Sequence, residues 1–161
     1  MFLRNFCSNP ASSEEAPHLL MKTNPSGLTE LLLNRPKTKN AMSRQLLQLL
    51  TESVSEIEAA PAEHRVVLLR SSTPGMFCSG ADLKERKGMT PDEAEQFVQN
   101  FRRLSLRLSK LPSPTISLID GFALGGGLEI ALSTDLRVAT ESAVLALPET
   151  GLAIIPGAGG T

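Results

Sequence analysis

The first regular pattern along the chain begins at Leu28. Residues 28–34 are apolar and read as a strand that ends at Arg35-Pro36, because a residue before proline is pushed out of helical conformation. Ser43 follows in the place of an N-cap, and Leu46, Leu47, Leu50, Val54 and Ile57 recur at helical spacing until Pro61. Residues 66–69 predict a short buried strand, and residues 71–80, rich in Ser, Pro and Gly, a loop. Thr90-Pro-Asp-Glu93 predicts a capping box with proline at the first helical position. The helix it opens carries Phe97, Phe101, Leu104, Leu108 and Leu111 on one face and stops before Pro112. A strand is expected over Thr115–Ile119, a glycine-rich turn over 121–127 and a helix from 128–132. Further strands are expected over Leu136–Ala139 and 144–147. Strands alternating with helices predict an α/β fold with largely parallel pairing.

Residues 1–25 show no apolar period and hold Ser8, Asn9, Pro10, Ser12, Ser13, Glu14, Glu15 and Pro17, so they read as an extension. Met1-Phe-Leu-Arg-Asn-Phe6 is a candidate remnant of a targeting peptide, but a single Arg with Glu14-Glu15 close behind fits a frayed terminus better. Residues 26–161 are expected to form one core domain. The sequence ends inside a glycine-rich turn, Gly157-Ala-Gly-Gly-Thr161, and a further part of the fold is expected beyond it.

Composition narrows the chemistry. The 161 residues carry 16 basic and 17 acidic side chains for a net charge of −1, with 41% hydrophobic residues. This is ordinary globular usage, not that of a disordered chain or a strongly basic nucleic-acid binder. No apolar run is long enough to span a membrane. The distant pair Cys7 and Cys78 suits neither a disulfide framework nor a zinc cluster, and with only His18 and His64 no metal site is expected.

Three glycine-rich segments invite a phosphate reading. Gly75 and Gly80 have P-loop spacing, yet Ala81-Asp82 stand where Lys and Ser/Thr are needed. Residues 121–127 lack the dinucleotide register, and no helix follows Gly157–Gly160 in this sequence. Taken together the loops say more. The segments Phe77-Cys-Ser-Gly-Ala-Asp-Leu-Lys84 and Gly121-Phe-Ala-Leu-Gly-Gly-Gly127 each lead from a strand into a helix. Amides at two such junctions, converging, make an oxyanion hole. Glu129 and Glu149 stand nearby in apolar runs, where a carboxylate is costly unless paired or functional.

These segments, with Asn34-Arg-Pro, Asn40-Ala and Leu147-Pro-Glu149 followed by Ile155-Pro-Gly-Ala-Gly-Gly-Thr161, resemble the enoyl-CoA hydratase/isomerase (crotonase) family in order and spacing from about Leu28 onward. Asp82-Leu-Lys-Glu-Arg86 and Ala153-Ile-Ile-Pro156 are similar to its mitochondrial branch that includes methylglutaconyl-CoA hydratase and the enoyl-CoA hydratase domain-containing proteins. The resemblance implies a spiral of ββα units around a perpendicular pair of sheets. It also implies a C-terminal helical part, missing here, that makes a homo-trimer or hexamer. By motif, Ala81 and Gly126 become the oxyanion-hole donors. Ala81, Asp82, Leu83, Lys84 and Gly126 line the acyl-CoA site, Lys84 facing the CoA phosphates. Glu129 and Glu149 become the carboxylates that hold and activate water. The implied reaction is hydration of a 2-enoyl-CoA thioester in fatty-acid or branched-chain amino-acid breakdown. No cofactor is implied, coenzyme A being part of the substrate. The alternatives are enoyl-CoA isomerisation and a non-catalytic fragment; isomerases usually lack one or both carboxylates. Ser79 and Ser133-Thr134-Asp135 depart from the family's usual residues without removing a reacting group. One branch member binds RNA through a lysine-rich first helix. Here that helix has Arg44, Glu52, Glu56 and Glu58 and no Lys, so RNA is not an expected partner.

Overall fold

The structure, a computed structural model, describes residues 2–5, 16–152 and 155–159. Its larger sheet has six strands in the order β1 (Phe2–Asn5), β2 (Leu19–Thr23), β3 (Leu28–Leu33), β4 (Val66–Ser71), β6 (Thr115–Ile119) and β8 (Leu136–Ala139). β2 runs antiparallel to both β1 and β3, and β3, β4, β6 and β8 run parallel. A second sheet holds three short parallel strands, β5 (Met76–Cys78), β7 (Phe122–Leu124) and β9 (Val144–Ala146), with β7 central. The helices are α1 (Arg44–Ala59), α2 (Leu83–Lys87), α3 (Pro91–Leu108) and α4 (Gly126–Leu132).

The chain thus repeats one unit. The pairs β4–β5, β6–β7 and β8–β9 each give their first strand to the large sheet and their second to the small one. After each second strand the chain turns into α2, α4 or the 3-10 turn Pro148–Leu152. The expected α/β spiral of ββα units is what the structure shows. Its consequence for function is that three loop-to-helix junctions lie side by side at the carboxyl ends of three adjacent parallel strands.

The helices form where the apolar period placed them. Ser43 caps α1, its Oγ accepting from Leu46 N at 3.1 Å. In the capping box of α3, Thr90 N donates to Glu93 Oε2 at 2.8 Å and Glu93 N to Thr90 Oγ1 at 3.3 Å. The apolar faces of α1 (Leu46, Leu47, Leu50, Val54, Ile57) and α3 (Phe97, Phe101, Leu104, Leu108) are buried in one core with Leu19, Leu31, Leu33, Val67 and Leu69 of the large sheet. Burial of each such side chain contributes about 1.5–3 kcal/mol. The register aligns the rows: Met21 opposes Leu31, and Leu31 opposes Leu69.

Three expectations are corrected. Residues 1–25 do not all lie outside the core: β2 is a strand of the large sheet, and its Leu19 and Met21 are buried. It escapes the period because only five residues pair and just two of them face inward. The loop read over 71–80 contains β5, and the turn read over 121–127 contains β7 and the start of α4. Strands of three residues are too short to show an alternation. Of the candidate targeting remnant Met1–Phe6, residues 2–5 form β1, while residues 1 and 6–15 lie outside the described residues. Among the described residues no helix is long and apolar enough to cross a membrane. At the far edges of the sheets Leu136, Val138, Val144 and Leu145 are exposed.

Candidate active site

The site is built where β5, β7 and β9 end. After β5 the chain passes Ser79 and Gly80 to Ala81, which makes an isolated parallel bridge with Met42. Met42 N donates to Gly80 O at 2.7 Å and Asp82 N donates to Met42 O at 3.0 Å. That pairing spends the Gly80 carbonyl and the Asp82 amide on Met42, so the Ala81 amide points to the opposite side. There lies the turn from β7 into α4. Gly80 has φ +91°, and a Cβ on it would sit 2.8 Å from Leu124 O and 3.5 Å from Gly126 N. Only glycine allows this backbone and this approach. Among the described residues neither the Ala81 amide nor the Gly126 amide has an acceptor. Gly126 opens α4, where the first amides are unpaired and the helix dipole favours negative charge. Phe101 of α3 covers it: a Cβ on Gly126 would meet the Phe101 ring at 2.7 Å.

The third junction delivers a carboxylate. Glu149 lies in the 3-10 turn after β9, and Gly125 N donates to Ala146 O at 2.9 Å, docking the two turns. Gly125, at φ +50°, leaves room for the Glu149 carboxyl group, whose Cδ and Oε2 would lie 3.2 and 3.4 Å from a Cβ there. Glu149 Oε2 is buried without a hydrogen-bond partner among the described residues. The second carboxylate, Glu129, sits in the first turn of α4 and is only 4% exposed. Its Oε1 accepts from Ala158 N at 2.7 Å, which ties it to the glycine-rich segment. Arg102 of α3 holds that segment from outside, donating to Gly157 O from Nε at 3.2 Å and Nη2 at 3.0 Å.

Of the residues singled out from sequence, Ala81, Gly126, Glu129 and Glu149 stand on three adjoining junctions. Asp82 caps α2, with Oδ1 accepting from Glu85 N at 3.3 Å, and pairs with Arg35 at 3.2 Å. Leu83, 75% exposed, and Lys84, also exposed, project from α2. Sequence reasoning gave no role to Arg35 or Asn40, though both lie in quoted motifs. Asn40, at φ 54°, is buried, and its side chain accepts from Arg35 N at 2.7 Å and donates to Ser71 Oγ at 2.7 Å and Phe77 O at 3.0 Å. The sequence signal for it was an Asn in the turn that follows the break at Pro36. Cys78 lies under the site and donates its thiol to Asn40 O at 3.1 Å. Burial pushes this thiol up to about 11, against the smaller opposing pulls of the Gly80 amide and the Arg35 guanidinium. Among the described residues no group of three or more His, Cys, Asp and Glu is gathered to hold a metal ion.

Two backbone donors at strand ends, with two carboxyl groups beside them, are an arrangement able to receive a carbonyl oxygen and stabilise charge on it. A spiral of ββα units carrying that site is the crotonase type of protein. The chain belongs to the enoyl-CoA hydratase/isomerase family, whose pattern matches residues 23–161. It is 52% identical over 136 residues to "Probable enoyl-CoA hydratase 2, mitochondrial" of Arabidopsis thaliana, covering 84% of this chain and 45% of that protein. It is 44% identical over 158 residues to "Methylglutaconyl-CoA hydratase, mitochondrial" of Mus musculus, covering 98% of this chain and 50% of that protein. The crystal structure of enoyl-CoA hydratase from Bacillus anthracis superposes with a TM-score of 0.82 at 42% identity, covering 87% of this chain and 55% of that one. The chain spans about half the length of the curated relatives it matches.

Proposed function

We propose that this chain carries the groups with which a hydro-lyase adds water across the 2,3 double bond of a 2-enoyl-CoA thioester. The observation that supports it most is the docking of the Glu149 carboxyl group on Gly125, beside the Ala81 and Gly126 amides, with Glu129 in the same helix turn as Gly126. In this reading the thioester oxygen lies between the two amides. Glu129 takes a proton from water as its oxygen attacks Cβ, and the electron pair of the double bond moves onto the thioester as an enolate. The amides stabilise the developing oxyanion. Glu149, protonated, delivers a proton to Cα, and the proton held by Glu129 passes through solvent to restore Glu149. Lys84 on α2 is assigned to the CoA phosphates, and the exposed Leu83 beside it to the apolar part of the substrate. Coenzyme A belongs to the substrate, and no separate cofactor is needed.

A mitochondrial location rests on the names of the relatives, and a place in fatty-acid or branched-chain amino-acid breakdown on the family resemblance. A homo-trimer or hexamer is proposed from the family resemblance, supported by the exposed Leu132, Leu136 and Val138 at the end of α4 and on β8. The test follows the absorbance of a conjugated 2-enoyl-CoA mixed with the chain. Loss of absorbance with formation of the 3-hydroxyacyl-CoA is expected. Double-bond migration without water addition would replace hydration by isomerisation, and binding without either reaction would leave a non-catalytic acyl-CoA module.

A further inference from the structure

One group beside the amide pair has no part in the reaction as derived. The Arg35 guanidinium reaches across the Met42–Ala81 bridge and ties its two sides together. Nη1 donates to Ala41 O, the carbonyl just before Met42, and Nη1 and Nη2 lie 3.3 and 3.2 Å from Asp82 Oδ2, just after Ala81. The pair is largely buried, with side-chain exposures of 12% and 13%. Arg35 is itself fixed at the backbone, since its N donates to Asn40 Oδ1 and its O accepts from Asn40 N at 3.0 Å.

We propose that Arg35 is a positioning residue for the oxyanion site: it fixes which way the Gly80–Ala81 peptide faces. Building on the thioester reading above, the useful group is the Ala81 N–H. A peptide next to glycine turns over at little steric cost, and turned over it would present the Gly80 carbonyl, which repels an oxyanion. What opposes the turn is a bridge one residue pair long, held by two backbone hydrogen bonds. A bridge that short is easily slipped. Arg35 joins its two strands by a charge-assisted pair and a carbonyl bond in a screened environment, where such contacts are stronger than at the surface. Lysine cannot reproduce both, because it offers a point charge and not a planar fork.

The experiment titrates the chain with an aryl-acryloyl-CoA whose absorption reddens when its thioester carbonyl is polarised, and measures hydration of a short 2-enoyl-CoA in parallel. Wild-type chain should bind the probe with a red shift. In Arg35→Met the red shift should be largely lost, with kcat lowered about 10²-fold, the scale of a lost oxyanion donor or a misplaced group, and KM changed far less. Asp82→Asn should move both readouts in the same direction. The double variant should be no worse than the worse single, because the two act as one tie. Arg35→Lys should fall between wild type and Arg35→Met, and it carries the test if the methionine variant does not fold. An undiminished red shift and kcat in the folded Arg35 variants would overturn the positioning role alone. Absence of any red shift in wild type would overturn the thioester reading and this proposal with it. A wild-type red shift without hydration, lost in the variants, would support the positioning role while removing the hydratase.

Discussion

The two sides of the site solve different problems. The amide side consists of backbone, and every group next to it is satisfied: Gly80 O and Asp82 N are bonded to Met42, the Asp82 carboxylate to Arg35 and Glu85 N, and the Cys78 thiol to Asn40 O. The carboxylate side consists of side chains in unequal surroundings. Glu129 is buried and bonded to Ala158 N, whereas Glu149 keeps a buried oxygen with no hydrogen-bond partner among the described residues. Amides can be aimed by geometry alone and hold no proton that must come and go. A buried carboxyl oxygen without a donor costs on the order of 1–3 kcal/mol, and such a cost is retained where a proton must be given and taken.

The largest effect that would break this contrast is on rate. Glu129→Gln and Glu149→Gln should each lower kcat by at least about 10²-fold with KM altered far less, as expected for groups that move protons in the transition state. The double variant should cost little more than the worse single, because both groups serve one addition step. Steady-state hydration of a short 2-enoyl-CoA, beside a thermal melt, is the measurement. A folded Glu149→Gln chain with near wild-type kcat would reduce that carboxylate to a filler of the Gly125 turn.

On the amide side the corresponding lesion is Gly80→Ala. The new methyl meets Leu124 O at 2.8 Å from a residue at φ +91°. Denaturant unfolding should show a loss of about 2–3 kcal/mol, combining left-handed strain with a collision against backbone. Activity of the folded fraction should fall as well, since relief comes only by moving the Ala81 or Gly126 amide. Unchanged stability would show that the two junctions are less tightly docked than their positions require.

The two glutamates should separate in a third measurement. Glu129→Gln keeps an acceptor for Ala158 N but loses the charge that strengthens that bond, so the melt should fall by an amount corresponding to about 1 kcal/mol. Glu149→Gln keeps the size of the carboxyl group and breaks no hydrogen bond of the buried Oε2, so stability should hold. Equal losses in both variants would erase the distinction.

Little of this inequality could be read from the sequence. The helices were legible because α1 and α3 keep an apolar period for four turns or more, and Ser43 and Thr90 announce their starts. The candidate site residues were legible as motifs, because glycine runs and isolated acids stand out from their surroundings. What stayed hidden was made by contacts between distant positions. Arg35 and Asp82 are 47 residues apart, and Glu129 and Ala158 are 29 apart, and neither leaves a local signature. The strands β5 and β7 are three residues each, below the length at which alternation shows. β2 was missed for a related reason: two inward residues beside a polar segment resemble a tail until β3 supplies the partner strand.

The last expected effect, which appears only at alkaline pH, concerns the thiol beneath the amide side. Burial raises Cys78 from an ordinary value of 9.0 to about 11, so the folded chain keeps its proton after the unfolded chain has lost it. The stabilising contribution is therefore complete below pH 9 and is lost as pH rises from about 9 to 11, because in that window the unfolded state binds fewer protons. At pH 10 the loss is about 1.4 kcal/mol, the free energy of a tenfold change in a proton equilibrium. The sequence contains no Tyr, so no phenol titrates in the same range. Urea unfolding at pH 8 and pH 10 should show the decline in wild type and a flatter profile in Cys78→Ala, which begins less stable at pH 8 through its cavity. Mass mapping after brief alkylation at pH 8 should find the Cys78 peptide unmodified in the folded chain and modified once urea unfolds it. Rapid labelling of Cys78 in the folded chain, or an alkaline decline that survives Cys78→Ala, would show that the thiol is not sealed under the Gly80 turn, and that the amide side is less rigid than the carboxylate side.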